Sequence, residues 1–124
     1  MRHKRIIEKL FLIAIATPPV ARCRVAAALV IRNNILAVGV NSYSSSRLAR
    51  KFAKDKLCLS EHAEIAVIRN YLAIYGLKNL NKCTMYVCRA KNTKSGWSYG
   101  LAKPCRGCLR AINTFGIRDV KWSG

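Results

Sequence analysis

The chain has 124 residues, which suffices for one domain with a core of its own, and 52% of them are apolar. Twenty-three Lys and Arg against five Asp and Glu give a formal net charge of +18. Such a charge attracts polyanions or phosphorylated molecules, although a host bias toward basic residues would produce the same excess. No apolar run reaches the ~18 residues of a membrane span, so the composition predicts no transmembrane segment and no membrane partner.

Two features bear on the compartment. Six cysteines in so short a chain could form a disulfide framework, but two of them form a tight C-x-x-C pair and no secreted-protein context is evident. Residues 1–21 carry basic residues before an apolar run, as a signal peptide does, yet Glu8 and Lys9 interrupt the apolar stretch. An amphipathic first helix that covers a sheet explains the apolar positions Ile6, Leu10, Ile13 and Ala14. We favour this helix and expect a cytoplasmic protein.

The next segment reads as a β-hairpin. Apolar runs at residues 24–32 and 35–41 flank Asn33 and Asn34, and asparagine tolerates the positive φ of a two-residue turn. The polar, basic stretch at residues 43–59 predicts a loop, with a short helical turn where Leu48 and Phe52 lie four positions apart.

The second half alternates helices and strands. Helical spacing and a terminating Gly76 predict a helix over residues 61–75, and Pro104 introduces another that ends at Phe115. Strands are predicted at residues 84–89, at 97–102 after a turn at 91–96, and at 117–122. The order predicts an α/β fold, a mixed sheet of about five strands flanked by helices, in a single domain of residues 1–124.

Two motifs carry the candidate chemistry: His62-Ala63-Glu64 opens one helix and Pro104-Cys105-Arg106-Gly107-Cys108 opens the next. Cysteines three positions apart share one face of a first helical turn, where both sulfurs reach one metal ion. The helix dipole favours thiolates at that end. With the nitrogen of His62, this predicts a zinc site with ligands His62, Cys105 and Cys108.

Glu64 completes the predicted site. Three protein ligands leave the fourth tetrahedral position of zinc open to water, which distinguishes a catalytic from a structural site. Zinc lowers the pKa of such a water to about 7. At a helix entrance Glu64 can lie beside the metal without ligating it, take the water's proton and pass it to a leaving amine.

The pattern H-x-E followed by P-C-x-x-C resembles the zinc nucleobase deaminases. Over nearly its whole length the chain is similar to the cytidine and deoxycytidylate deaminase superfamily. The resemblance implies a three-layer fold, deamination of a nucleobase, and the ligand and proton-shuttle roles given above. It further implies that Asn41, in Gly39-Val40-Asn41, holds a sugar hydroxyl and that the Ala63 backbone touches the base.

The sequence departs from the subfamilies at two places. Lys103 precedes Pro104 where tRNA-type and deoxycytidylate-type members usually have Glu, and the Ser-Trp-Ser of vertebrate polynucleotide deaminases is absent. Residues 87–102, with Gly96 and Gly100, resemble a hairpin of small viral and phage members. The Trp97 and Tyr99 rings there could stack on a base, but packing on the strand is the simpler interpretation.

The remaining cysteines and histidine considered next are expected to have structural roles or none in the site. Cys83 and Cys88 lie five apart on a predicted strand, so their side chains point to opposite faces and are expected in the core. His3 lies in a terminus that we expect to be mobile, which makes His62 the one plausible interior imidazole.

A basic run precedes His62 and could flank the mouth of the pocket. It could hold one nucleotide phosphate or a polynucleotide backbone, and only the second would give a steep salt dependence. Its candidate contact residues are Arg47, Arg50, Lys51 and Lys54.

The sequence therefore predicts zinc-dependent hydrolysis of cytosine to uracil in a free nucleoside or nucleotide. One alternative is a cytosine or adenine deaminase that acts on single-stranded DNA or RNA. Another is a non-catalytic, zinc-stabilised nucleic-acid-binding protein. Homo-oligomers are possible and the sequence does not decide between them and a monomer.

Overall fold

The computed structural model describes residues 2–20, 23–43, 47–52 and 61–124. Its helices are α1 (Arg2–Ala16), α2 (Arg47–Lys51), α3 (Ala63–Tyr75) and α4 (Arg106–Thr114), with a 3-10 turn at Leu80–Lys82. Its strands are β1 (Arg24–Ile31), β2 (Asn34–Val40), β3 (Thr84–Thr93), β4 (Gly96–Gly100) and β5 (Asp119–Trp122). No helix in these ranges is long and apolar enough to cross a membrane.

The five strands form one mixed sheet in the order β2-β1-β3-β4. Strand β3 is central, because β1 pairs with one of its edges while β5 and β4 pair with successive parts of the other edge. Strand β5 runs parallel to the first half of β3, and β4 runs antiparallel to its second half. The predicted α/β class, a mixed sheet flanked by helices, is confirmed.

Helices cover both faces of this sheet. Strand β1 is buried at five consecutive residues because Ala26 and Ala28 face α1, whereas Ala27 and Leu29 face α3 and its neighbours. The α1 residues that reach the first face are apolar at helical spacing: Ile6, Leu10 and Ala14. The amphipathic first helix is confirmed.

Helix α3 approaches β2 closely at Gly39. A Cβ atom on Gly39 would lie 2.3 Å from the Val67 backbone nitrogen, so only glycine fits there. The Asn70 side chain donates to the Val38 carbonyl at 2.8 Å and fastens the helix to the strand. This contact fixes where the first turn of α3 lies relative to the end of β2.

The first hairpin turns one residue earlier than predicted. Arg32 and Asn33 have φ of 50° and 70°, and β2 already begins at Asn34. Leu29 pairs with Ala37, so an odd number of residues lies between these two partners. A hairpin with regular pairing and a two-residue turn would have an even number of residues between them. A bulge in β2, opposite Leu29 and Val30, absorbs the extra residue and closes the turn over Arg32 and Asn33.

Two other expectations are wrong, and a third is confirmed. Strand β3 continues to Thr93, so the predicted turn at 91–96 shrinks to Lys94 and Ser95, and Thr93 Oγ1 donates to the Gly96 carbonyl at 2.7 Å. His3 is not in a loose terminus: it lies in α1 with its ring hydrogen-bonded to the Tyr86 hydroxyl. The predicted helical turn near Leu48 is α2, and residues 44–46 and 53–60 of that loop lie outside the described residues.

Candidate metal centre and its cavity

His62 is held at the entrance of α3 by the residue before it. The backbones of Ser42 and Glu61 exchange two hydrogen bonds, at 3.0 and 2.8 Å, and His62 is extended as the N-cap of the helix. Helix α3 therefore starts at Ala63, two residues later than predicted. This geometry lets the His62 imidazole reach a metal ion from just outside the first turn of α3.

An ion pair between the half-exposed Arg69 and the buried Glu61 supports this entrance. The Glu61 carboxylate is 1% exposed and accepts two hydrogen bonds from the Arg69 guanidinium, at 2.8 and 3.1 Å. The hydrogen bond to Glu61 raises the pKa of Arg69. Sequence reasoning missed Glu61, because an acid eight positions before an arginine gives no periodic signal across a helix boundary.

The two motif cysteines meet His62 at the N-terminus of α4. Cys105 is the N-cap of that helix and Cys108 lies in its first turn. Their sulfurs lie 3.6 and 3.5 Å from His62 Nδ1, and the three ligand atoms lie within 4.8 Å of one another. Sulfur and nitrogen bound to one tetrahedral zinc, at ~2.3 and ~2.0 Å, would be about 3.5 Å apart. The donor set and its spacing thus fit zinc.

The electrostatics of the cluster suit a cation. Hydrogen bonds from Cys108 and His62 lower the pKa of Cys105 to about 3, so this sulfur is a thiolate. The pKa of Cys108 is raised, first by its hydrogen bond to Cys105 and then by burial and Glu64. A metal ion bound by the two sulfurs would displace the proton that the raised pKa favours on Cys108.

Glu64 lies in the first turn of α3 and lines the same cavity as His62 and Cys105. Burial raises the pKa of its carboxyl above the usual range. The Glu64 carboxylate does not belong to the cluster of potential metal ligands formed by His62, Cys105 and Cys108. A carboxyl of raised pKa beside a metal site is suited to accept and return a proton.

The cavity occupies about 360 Å³ at the sheet end where β1 begins and β2 ends. Ala63 and Asn41 line it. The Asn41 side chain also holds this end together, because it accepts from the Val25 N–H at 3.0 Å and donates to the Cys23 carbonyl at 2.9 Å. One amide hydrogen of Asn41 is left over for a ligand, and its contact with a sugar stays a prediction.

Arg89 and Lys103 line the cavity too, and sequence reasoning did not place them there. Lys103 precedes the cysteine motif, so its position could have been inferred. Arg89 could not, because a strand residue reveals its face only once the register is known.

Three of the four predicted basic contact residues lie outside the lining of the cavity. Among the described residues, Arg47, Arg50 and Lys51 are exposed on α2 and do not line the cavity, and Lys54 lies outside the described residues. Lys51 lies over the Phe52 ring, 5.7 Å from its centre. Their contact with phosphate or nucleic acid stays a prediction.

The aromatic residues of β4 lie on the sheet face that α1 covers. The rings of Tyr99 and Phe11 are 4.3 Å apart, and the Arg24 guanidinium lies 5.0 Å from the centre of Trp97. The cavity opens on the other face, where Val25 and Arg89 lie opposite each other. Strand packing rather than base stacking explains both rings.

Cys83 and Cys88 are buried in the two cores on opposite faces of the sheet, as predicted. Burial raises the pKa of both thiols. No disulfide joins the described cysteines.

A mixed sheet between helices, with one imidazole and two thiols meeting at two helix N-termini, defines a zinc-binding protein with the cytidine deaminase-like fold. The sequence model of the cytidine and deoxycytidylate deaminase zinc-binding region matches residues 1–123. The chain belongs to this family. Zinc is the metal that His62, Cys105 and Cys108 are placed to hold.

Solved structures of this fold include deaminases for different substrates. The dCMP deaminase of cyanophage S-TIM5, also solved with dCMP and dUMP, has a TM-score of 0.67 and 16% identity over 97% of this chain and 80% of its own. The Bacillus subtilis guanine deaminase has a TM-score of 0.60 and 21% identity, over 98% of this chain and 64% of its own. A tRNA:A34 deaminase has a TM-score of 0.55 and 22% identity, over 96% of this chain and 75% of its own. At such identities these likenesses show the fold alone. A search of curated proteins gives no match.

Proposed function

We propose that the protein is a zinc-dependent hydrolytic deaminase that converts cytosine to uracil in a free nucleoside or nucleotide, with residues 1–124 acting as one domain. The observation that carries this proposal is the position of Glu64. A buried carboxyl of raised pKa shares a 360 Å³ cavity with the His62 and Cys105 ligands. A zinc site that served folding alone would have no use for that group.

The reaction consumes water and releases ammonia from C4 of the base. His62, Cys105 and Cys108 would hold zinc, which when bound supplies a Lewis acid able to lower the pKa of water to about 7. A carboxylate oxygen of Glu64 takes a proton from the attacking water and gives it to the leaving amine. Burial raises the pKa of Glu64, which makes its carboxylate a stronger base for the first of these transfers.

Two further residues support a nucleoside-sized substrate. Asn41 retains one amide hydrogen that can donate to a sugar hydroxyl at the cavity wall. Ala63 is fully buried at the first position of α3, where backbone N–H groups lack helical partners and can bind a base. We assign these contacts as the substrate-orienting ones.

A second candidate is deamination of cytosine or adenine in single-stranded DNA or RNA. The observation that favours it is the net charge of +18, and the tRNA:A34 deaminase shares the fold. A splayed base would enter the same cavity while basic side chains contact the backbone.

A substrate panel tests the proposal. Zinc-loaded protein is incubated with cytosine, cytidine, deoxycytidine, both monophosphates and short single strands, and also with adenosine and guanine, while ammonia and the deaminated base are measured. Deamination of a free cytosine compound supports the proposal. Turnover of single strands alone, falling steeply with salt, would establish the second candidate instead.

Glu64→Gln isolates the proposed proton transfer. We expect kcat to fall by about 10²- to 10⁴-fold, the usual contribution of general acid–base catalysis, with one zinc still bound per chain. Glu8→Gln, an exposed acid on α1, is the matched control and should leave kcat unchanged. A Glu64→Gln variant as active as the parent protein would remove this mechanism.

A further inference from the structure

Arg89 places a guanidinium whose Nε donor is unpaired inside the candidate active site. It lies on β3 opposite Val25, and both side chains line the cavity that contains Glu64. Its Nε is buried and is the one buried side-chain nitrogen or oxygen in the described chain without a hydrogen-bond partner. An unpaired buried donor costs about 1–3 kcal/mol, and more when it is charged, so such a group is expected to have a partner.

The surrounding backbone makes room for Arg89 and fixes it. Gly100 lies directly opposite on β4, and a Cβ there would come within 2.9 Å of Arg89 Cδ. The Arg89 N–H donates to Ser123 Oγ at 3.0 Å, and that hydroxyl donates to the Gly100 carbonyl at 2.8 Å. The strand end that presents the guanidinium is thus rigid and preorganised.

No acid in the described part of the chain neutralises this guanidinium. The two ion pairs found there are Glu61 with Arg69 and Asp119 with Lys121. Among the described residues, Glu64 is the one acid that lines the cavity, and burial is the main cause of its raised pKa. Lys103 adds a second cation at the exposed rim of the same cavity. With the thiolates occupied by zinc, these two cations would outnumber the one carboxylate in the described lining of the cavity.

We propose that Arg89 binds a phosphate of the substrate, so that the preferred substrate is a nucleoside monophosphate rather than a nucleoside or a free base. This inference rests on the proposed function, because it places substrate in the zinc cavity. A guanidinium presents a planar fork of donors that matches phosphate oxygens and stays charged at all relevant pH values. A free nucleotide and a polymer present the same phosphate oxygens, so the binding measurement compares monophosphates with single strands.

Arg89→Met tests the proposal, since methionine keeps an unbranched apolar stem and removes the charge. We expect kcat/KM for cytidine or deoxycytidine monophosphate to fall about 10- to 100-fold relative to that for the matching nucleoside. Arg118→Met makes the same charge change on an exposed residue at the other end of the sheet and should not alter this ratio. Arg89→Lys, which keeps charge but loses the fork, should recover part of the preference.

A binding measurement separates this proposal from the proposed function. Titration of uridine and deoxyuridine monophosphate into zinc-loaded protein by calorimetry should show affinity that weakens in Arg89→Met, with zinc content unchanged and the melting temperature unchanged or raised, because the variant removes an unpaired buried donor. If no compound is deaminated yet this Arg89-dependent binding persists, the phosphate subsite stands and the deaminase proposal fails. An unchanged nucleotide preference in Arg89→Met, or binding of single strands but not of monophosphates, overturns the subsite.

Discussion

The two faces of the sheet use the same residue types for different purposes. On the α1 face, Cys88 lies among alanines and apolar helix residues, and burial raises the pKa of its thiol. On the α3 face, Cys105 stands at a helix N-terminus beside Cys108 and His62, and its pKa is lowered to about 3. Cysteine chemistry here is decided by neighbouring donors and helix dipoles, not by burial alone.

Arginine shows the same division within the α3 face. Arg69 is half exposed and paired with the buried Glu61, where it stabilises the approach to His62. Arg89 lines the cavity and its Nε has no partner. A paired arginine completes the scaffold, whereas an unpaired one in a cavity indicates a ligand.

The largest expected difference between the faces concerns zinc. Cys108→Ala should weaken zinc binding by more than about 100-fold, the loss that even outer-shell changes can produce, and should abolish activity. Cys88→Ala, the same substitution on the other face, should bind one zinc and lower the free energy of unfolding by about 1 kcal/mol. Competition with a chromophoric chelator and chemical denaturation measure the two effects. Equal zinc loss in both variants would contradict the division of roles.

The next effect concerns stability on the α1 face. Leu10 is fully buried between α1 and the sheet, so Leu10→Ala should lower the free energy of unfolding by about 2–5 kcal/mol. KM should not change, because this face does not line the cavity. Leu12→Ala on the same helix is the control, since Leu12 is 67% exposed and its loss should cost less than about 0.5 kcal/mol. A tenfold rise in KM for Leu10→Ala would show that the two faces are coupled.

The smallest effect concerns the aromatic residues of β4. Tyr99→Leu and Trp97→Leu remove a ring contact with Phe11 and a cation–π contact with Arg24, each worth about 0.5–1.5 kcal/mol. Substrate KM should stay within twofold of the parent value in both variants. A tenfold rise in KM would mean that one of these rings stacks on the base and belongs to the substrate site.

Much of the local structure could be predicted from the sequence. The periodic apolar positions of α1, the helical turn at α2 and the opposite faces of Cys83 and Cys88 all follow from spacing along a single element. The predicted boundaries were wrong where pairing with a distant segment determines where a turn or a helix begins. The first turn shifted to Arg32 and Asn33 because a bulge in β2, opposite Leu29 and Val30, sets the register, and α3 began late because Glu61 pairs with Ser42.

The candidate site divides in the same way. The spacing of Cys105 and Cys108 places both sulfurs on one helical turn without any knowledge of the rest, and the motif His62-Ala63-Glu64 names the remaining partners. Only the tertiary structure decided that the two helix entrances meet, that the basic residues of α2 lie away from the cavity and that Arg89 lines it. The physical reason is range: helix geometry is set by neighbours three or four residues away, whereas the face and register of β3 depend on strands tens of residues distant.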